Sequence, residues 1–273
     1  MVKKSPPEKA KLEETRVIAE PIDAEKQDEY KESPPENAEE KPKERKFLKG
    51  AEREKLAREE DLAKWKPKTH LGVMVRAGTI KSIDEIFEKG YKILEPQIVD
   101  LLLPNLKSEL LLIGQAKGKF GGGKRRFWRQ TQKKTAEGNV PHFACMVVVG
   151  DENGHIGIGL GKAKETLPAK AKAHRAARLN LTLIRRGCGS FDCSCSDKHS
   201  VPLKIEGKRG SSRIVLTPAP KGTGLVAEKG VRTVLRLAGL KDVYTKTFGQ
   251  SRTKINHAGA TFNALKATLA VKM

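Results

Sequence analysis

From Met146 to Arg186 the sequence reads MVVVGDENGHIGIGLGKAKETLPAKAKAHRAARLNLTLIRR, the stretch that most limits what this chain can fold into. An apolar strand, Met146 to Val149, meets the turn Gly150-Asp151-Glu152-Asn153-Gly154. A second strand, His155 to Gly161, alternates with glycine, and a long basic helix follows over Ala169 to Ile184. Met146, Val148, Ile156 and Ile158 can cover a core, while Gly157, Gly159 and Gly161 leave the backbone open to a close approach. From Lys162 onward the cations Lys162, Lys164, Lys170, Lys172, His174, Arg175, Arg178, Arg185 and Arg186 face Glu165 alone. A hairpin feeding so basic a helix is suited to lie against a polyanion.

The charge of the whole chain is uneven in the same sense. There are 54 Lys and Arg against 33 Asp and Glu; the first 66 residues hold 17 and 18 of them, leaving residues 67–273 with 37 and 15, a net of +22. A folded region this basic reads first as a nucleic-acid binder, with a merely solvated basic surface as the alternative. The longest apolar runs are short, Ile98 to Leu103 being broken by Asp100, so the expectation is a soluble, cytoplasmic protein with no membrane span and no readable signal segment. Cys145, Cys188, Cys193 and Cys195 are too few and too clustered for a disulfide framework.

Three regions follow from composition and periodicity. Residues 1–66 form a charged extension: 1–45, with Pro6-Pro7 and Pro34-Pro35, cannot bury enough apolar surface to order, and 47–66 reads as a charged helical segment. In the first folded unit, 67–187, Ser82 and Glu85 make a capping-box signature before Ile83, Ile86 and Phe87. Glu95 to Leu103 reads as helix ended by Pro104, Leu110 to Gly114 as a strand, and the hairpin and basic helix complete a three-stranded antiparallel sheet with packed helices. After a glycine-cysteine linker, 188–198, the second unit, 199–273, reads β-β-α-β-α. Its strands fall at Ser200 to Ile205, Ser212 to Thr217 and Val243 to Thr247, with helices at Gly230 to Ala238 and Asn256 to Ala270. The fold class is α+β.

The loop Gly118-Lys119-Phe120-Gly121-Gly122-Gly123-Lys124 has the glycine and lysine spacing of a phosphate-binding P-loop, but Arg125 stands where the Mg²⁺-holding hydroxyl belongs. The same test fails at Gly161-Lys162-Ala163. The nucleotide-hydrolase reading is therefore weak, and no catalytic set appears. What remains is Lys117, Lys119, Lys124, Arg125, Arg126 and Arg129 around Phe127 and Trp128: cations for phosphate and rings for splayed bases, as irregular or single-stranded RNA requires. The plainer reading makes Phe127 and Trp128 core residues on a strand edge. Cys188, Cys193, Cys195 and His199 supply three thiolates and an imidazole, a complete tetrahedral set for a structural Zn²⁺. A reduced, metal-free cluster or a redox pair are the alternatives. Cys145, inside a strand, is core.

With VVVGDENGHIGIGLGKAKE at 147–165, HSVPLKIEGKRGSSRIVLTPAPKGTGLVA at 199–227, VLRLAGLKDVYTKTFGQS at 234–251 and NHAGATFNALKAT at 256–268 in view, the chain resembles the universal small-subunit ribosomal protein family five, called S-two in eukaryotes. Its Gly-Cys-Gly-Ser-Phe-Asp-Cys-Ser-Cys linker resembles archaeal members. The resemblance implies a double-stranded-RNA-binding-like domain followed by the family's own C-terminal domain. It implies a non-enzymatic constituent of the small ribosomal subunit that binds rRNA near the decoding region and the path along which mRNA enters. Small-subunit ribosomal proteins three, four and eight are the implied neighbours, and support of decoding accuracy the implied role. On this chain the loop Lys117 to Arg129, the turn Lys133-Lys134, the glycine hairpin with Lys162 and Lys164, and the helix from Lys170 to Arg186 would face RNA. A free RNA-binding protein acting outside the ribosome is the alternative.

Overall fold

The computed structural model describes residues 62–115, 125–195 and 197–270. The readings for residues 1–61, and for Lys117, Lys119 and Lys124, lie outside the described residues. After helical residues 62–64 come three short helices, α1 (His70–Arg76), α2 (Ile83–Glu88) and α3 (Pro96–Leu102). Ser82 and Glu85 do pair at the start of α2, but through their side chains, Ser82 Oγ donating to Glu85 Oε1 at 2.7 Å. Glu95 before α3 accepts from the indole of Trp65 and the amides of Lys68 and Thr69 at 2.7–2.9 Å, which fastens the start of the first unit.

Five antiparallel strands follow instead of three: β1 (Lys107–Leu110), β2 (Arg129–Thr135), β3 (Gly138–Gly150), β4 (His155–Ala163) and β5 (Leu181–Leu183). The order is β1-β3-β4-β5, with β2 pairing the first half of β3. Lys133 and Lys134 therefore sit in a strand, opposite Val140 and Asn139, and the turn falls two residues later at Ala136-Glu137. The basic helix is α4 (Thr166–Leu179), shorter at its C-terminus than its pattern suggests. Asn180 ends it and donates through Nδ2 to Ile158 O at 3.1 Å, and Leu181 to Leu183 turn back as β5 beside His155 to Gly157. Arg185 and Arg186 are thus not on the helix.

The glycines of β4 take this helix. A Cβ on Gly157 would collide with the carbonyl oxygen of Ala177, one on Gly159 with that of Ala173, and one on Gly161 with that of Ala169. The two periods match: two strand residues advance about 6.7 Å and four helix residues about 6 Å. The close approach that the glycines permit is used within the protein, by the backbone of α4.

Strand β3 is apolar on both faces. Cys145, Val147 and Val149 join Ile86, Ile98, Val99, Ala169, Ala173 and Ala177 in one cluster. Met146 and Val148, with Ile156 and Ile158, join a second cluster that continues through Leu216, Val234, Leu237, Phe262 and Leu265. The second half of the chain supplies that cover: β6 (Ile205–Arg209), β7 (Ser212–Pro218), β8 (Leu225–Val226), α5 (Lys229–Leu237), β9 (Val243–Phe248) and α6 (Lys254–Ala267). Its sheet order is β6-β7-β9-β8, with β8 parallel to β9. The first strand here starts at Ile205, not Ser200; Ser200 instead bridges to Gly187. The α+β architecture expected from the sequence is the one observed.

The turn of the central hairpin is clamped at both ends. Asp151 accepts from the amides of Asn153 and His155 and pairs with His155 Nδ1 at 2.6 Å, while His155 Nε2 meets Asp84 of α2 at 2.9 Å. Burial opposes protonation of His155, yet the carboxylates of Asp151 and Asp84 carry its pKa above the usual 6.5. Burial likewise opposes ionisation of Asp151, and its hydrogen bonds from His155 and Asn153 hold it below 3.8.

Gly159→Ala is expected to cost about 3 kcal/mol or more in urea unfolding, because backbone cannot yield to the new methyl. Gly230→Ala, in α5, meets only the end of Glu228 and should be neutral or slightly stabilising. Equal effects would disprove the strand–helix contact. The His155 contribution is complete below pH 6.5 and fades as pH rises through its higher folded value; that of Asp151 is complete above 3.8 and fades as pH falls through its lower one. The stability gap between the unsubstituted chain and His155→Gln should therefore narrow as pH rises above 6.5. A gap constant from about pH 5 to about pH 9 would contradict this.

Candidate nucleic-acid interface and metal centre

Strand register gathers cations that the sequence leaves scattered. Arg129 pairs with Ala144, and Ala144 pairs on its other side with Lys162, so both cations flank one residue on one face. Every residue of β2 is exposed, including Arg129, Lys133 and Lys134. Lys162, Lys164 and Lys172 line a cavity of about 350 Å³ together with His142 and Ala163. His142 went unmarked in the sequence because an isolated histidine near a strand end carries no pattern. On α4, Ala169, Ala173 and Ala177 face inward, leaving Lys172 and Arg175 exposed and Lys170 half-buried.

The other basic candidates have different surroundings. Arg126 is exposed and Arg125 half-buried. Phe127 beside them is exposed, against the core reading, whereas Trp128 is half-buried and packs against the edge of the cluster that holds Ile98 and Val147. Arg178 Nη1 pairs with Asp100 of α3 at 3.0 Å, and both side chains are largely buried. Arg185 has an exposed side chain and donates its amide to Thr268 Oγ1. Arg186 reaches the hairpin turn, donating to Asn153 O at 2.8 Å and Oδ1 at 2.6 Å, and to Gly239 O at 3.5 Å beyond α5. Arg178 and Arg186 thereby hold structural elements together.

The cysteine-histidine constellation closes into one site. The ligand atoms of Cys188, Cys193, Cys195 and His199 all lie within 4.8 Å of one another. Sulfur to sulfur, Cys193 and Cys195 are 3.1 Å apart, and His199 Nε2 lies 3.2 Å from the Cys195 sulfur. The hydrogen bond shared by the two sulfurs holds the Cys193 thiol down to about 6 and pushes Cys195 up to about 11. His199 Nδ1 is engaged by Asp242 Oδ2 at 2.8 Å, which fixes the ring so that Nε2 faces the thiols. The other oxygen of Asp242 accepts from the amides of Gly222 and Gly224, at 3.1 and 2.8 Å. A carboxylate behind a histidine in this way orients it and raises its basicity toward a metal. Asp242 is the member the sequence did not reveal: it lies 43 residues from His199, and one acidic residue before a strand is unremarkable. Cys145 is fully buried among apolar residues, as expected, and burial raises its thiol pKa.

Comparison with known proteins matches the two halves of the chain in order. The family description "Ribosomal protein S5, N-terminal domain" matches residues 128–185, and "Ribosomal protein S5, C-terminal domain" matches 207–272. The small ribosomal subunit protein uS5 of Nanoarchaeum equitans is 48% identical over 206 residues, spanning 76% of this chain and 88% of the relative. That of Pyrobaculum aerophilum is 49% identical over 213 residues, 78% of this chain and 91% of the relative. That of Staphylothermus marinus is 48% identical over 209 residues, 77% and 91%. With both halves matched in order and near-half identity across them, this chain belongs to the uS5 family of small ribosomal subunit proteins, in its archaeal form.

Proposed function

We propose that the chain is a structural, non-enzymatic constituent of the cytoplasmic small ribosomal subunit that binds rRNA through its first half. The observation that carries this is the register that sets Arg129 and Lys162 about Ala144, next to the cavity of Lys162, Lys164 and Lys172. Cations on a rigid sheet displace counterions from phosphate at little ordering cost, giving strong, salt-dependent affinity. The shape of the folded RNA and its 2′-hydroxyls then supply specificity. Within this reading, Arg125, Arg126, Arg129, Lys133 and Lys134 face rRNA near the decoding region and the incoming mRNA. Small-subunit proteins three, four and eight are the neighbours, and the contact supports decoding accuracy. Lys164, just before α4, and Lys170, Lys172 and Arg175 on it extend the RNA-facing surface.

The Cys188, Cys193, Cys195 and His199 cluster fits a tetrahedral Zn²⁺ site in ligand type, number and mutual distance. Asp242 supplies the supporting carboxylate. A bound ion would supply a structural cross-link, tying the linker to the loop Pro218 to Gly224 through Asp242.

Replacing Arg125, Arg126 and Arg129 together by Gln is expected to lower incorporation into small subunits, or raise miscoding, more than replacing Lys3, Lys4 and Lys9. Equal effects in a reporter of miscoding and on sucrose gradients would refute the placement. Element analysis of the purified chain is expected to find about one zinc per chain, lost in Cys193→Ser, with thermal unfolding shifted downward by chelation. A zinc-free chain of unchanged stability would assign the four residues to a packed, reduced linker.

A further inference from the structure

The sheet β6-β7-β9-β8 carries its helices on one face only. Ile214, Leu216 and Val243 are fully buried on that face, and a Cβ on Gly207 would collide with the carbonyl oxygen of Ala260 in α6. Register defines the opposite face. Lys208, Arg213 and Phe248 stand in one row, Glu206, Val215 and Lys246 in the next, and Thr217, Tyr244 and Val226 in the third. Tyr244 is 43% exposed and Phe248 44%. The Arg213 guanidinium lies 5.7 Å from the centre of the Phe248 ring and the Lys246 ammonium 5.6 Å from it. The one acid in these rows, Glu206, is engaged by Arg213.

We propose that this open face binds a single-stranded RNA segment, one base stacking on Tyr244 and another on Phe248, with phosphates held by Lys208 and Lys246. Exposed rings set among cations on a rigid sheet are what unpaired RNA needs: a flat apolar surface for a base and a positive charge for its phosphate. The two rings lie four residues apart on one strand, about 13 Å, so they hold two separate bases. Lys246 lies between the rings along β9, so each ring has a cation beside it, as stacked bases with their phosphates require. A bare duplex is disfavoured, since its bases offer no free face to a ring. The proposal extends the RNA-binding reading to the second half of the molecule and rests on that reading for the source of the strand.

The test is ultraviolet cross-linking of the full chain to a 12-nucleotide single-stranded RNA of mixed sequence, with the attached residues mapped by mass spectrometry, and affinity measured across a salt series. Intact small subunits are cross-linked in parallel. The expected result is a nucleotide attached to Tyr244 or Phe248 in both settings, and binding about tenfold weaker for Tyr244→Ala with Phe248→Ala. Because the phosphate contacts remain, the salt slope of that double variant stays as it was, and Tyr244→Phe with Phe248→Tyr retains affinity. Thermal unfolding verifies that both pairs stay folded, as exposed positions should. Cross-links confined to residues 125–186, with the alanine pair unaffected, would overturn the proposal and leave the ribosomal reading standing. A peptide of another protein attached through Lys246 in intact subunits would overturn it in favour of a protein partner. Failure of the chain to bind RNA at all would overturn both.

Discussion

The contact on which the rest depends is the seating of α4 on β4, glycine against alanine. Three side-chain-free positions two apart on a strand meet three alanines four apart on a helix. The near-equality of those two spacings lets backbone lie on backbone over the whole contact. At this distance the helix cannot rotate without driving Lys170 or His174 into the sheet, so the exposed positions Lys172 and Arg175 are fixed in direction. Arg178 adds a lateral tie to α3 through Asp100. The basic surface is thus presented by a scaffold whose orientation is set elsewhere, so its backbone has little ordering entropy left to lose.

How much of this could be read beforehand varies by element for physical reasons. The central hairpin, α5, β9 and α6 were legible because their apolar period is unambiguous and their turns carry glycine or proline. Strand β2, RQTQKKT, was not: all seven residues are exposed, so it has no buried face to leave an alternating pattern, and only its pairing with β3 makes it a strand. The end of α4 was misread because LNLTLI continues an apolar pattern that suits a helix or a strand, and Asn180 alone marks the break. The glycines were recognised as an invitation to close approach, but a sequence does not say what approaches. The metal-like cluster was legible from ligand types alone. Asp242 and His142 were not, since each acquires its role from partners far along the chain.

Asp242 shows how one side chain can join separate regions of function. It binds His199 with one oxygen and the amides of the Gly222-Thr223-Gly224 loop with the other. Ser200 Oγ donates to its carbonyl as well. The segment His199-Ser200, the Gly222 to Gly224 loop and the chain entering β9 therefore share a single anchor, and a change at any of them is felt by the others. Lys221, at the exposed tip of that loop, pairs with Asp197 of the linker at 2.6 Å, which draws the same two segments together from outside.

The two-faced burial of β3 has a consequence in time. The sheet is complete when Leu183 has been made, but apart from Leu111, Ile113 and Ile184 the residues that cluster with Met146, Val148, Ile156 and Ile158 on its far side follow only from Val201 onward. During synthesis the nascent first half therefore carries an apolar floor whose main cover has yet to be made. Such a surface is what chaperones bind and what aggregates form from. The chain thus passes through an interval in which its earliest folded layer depends on a roof still being translated, and the speed at which that roof arrives becomes part of how the protein reaches its final form.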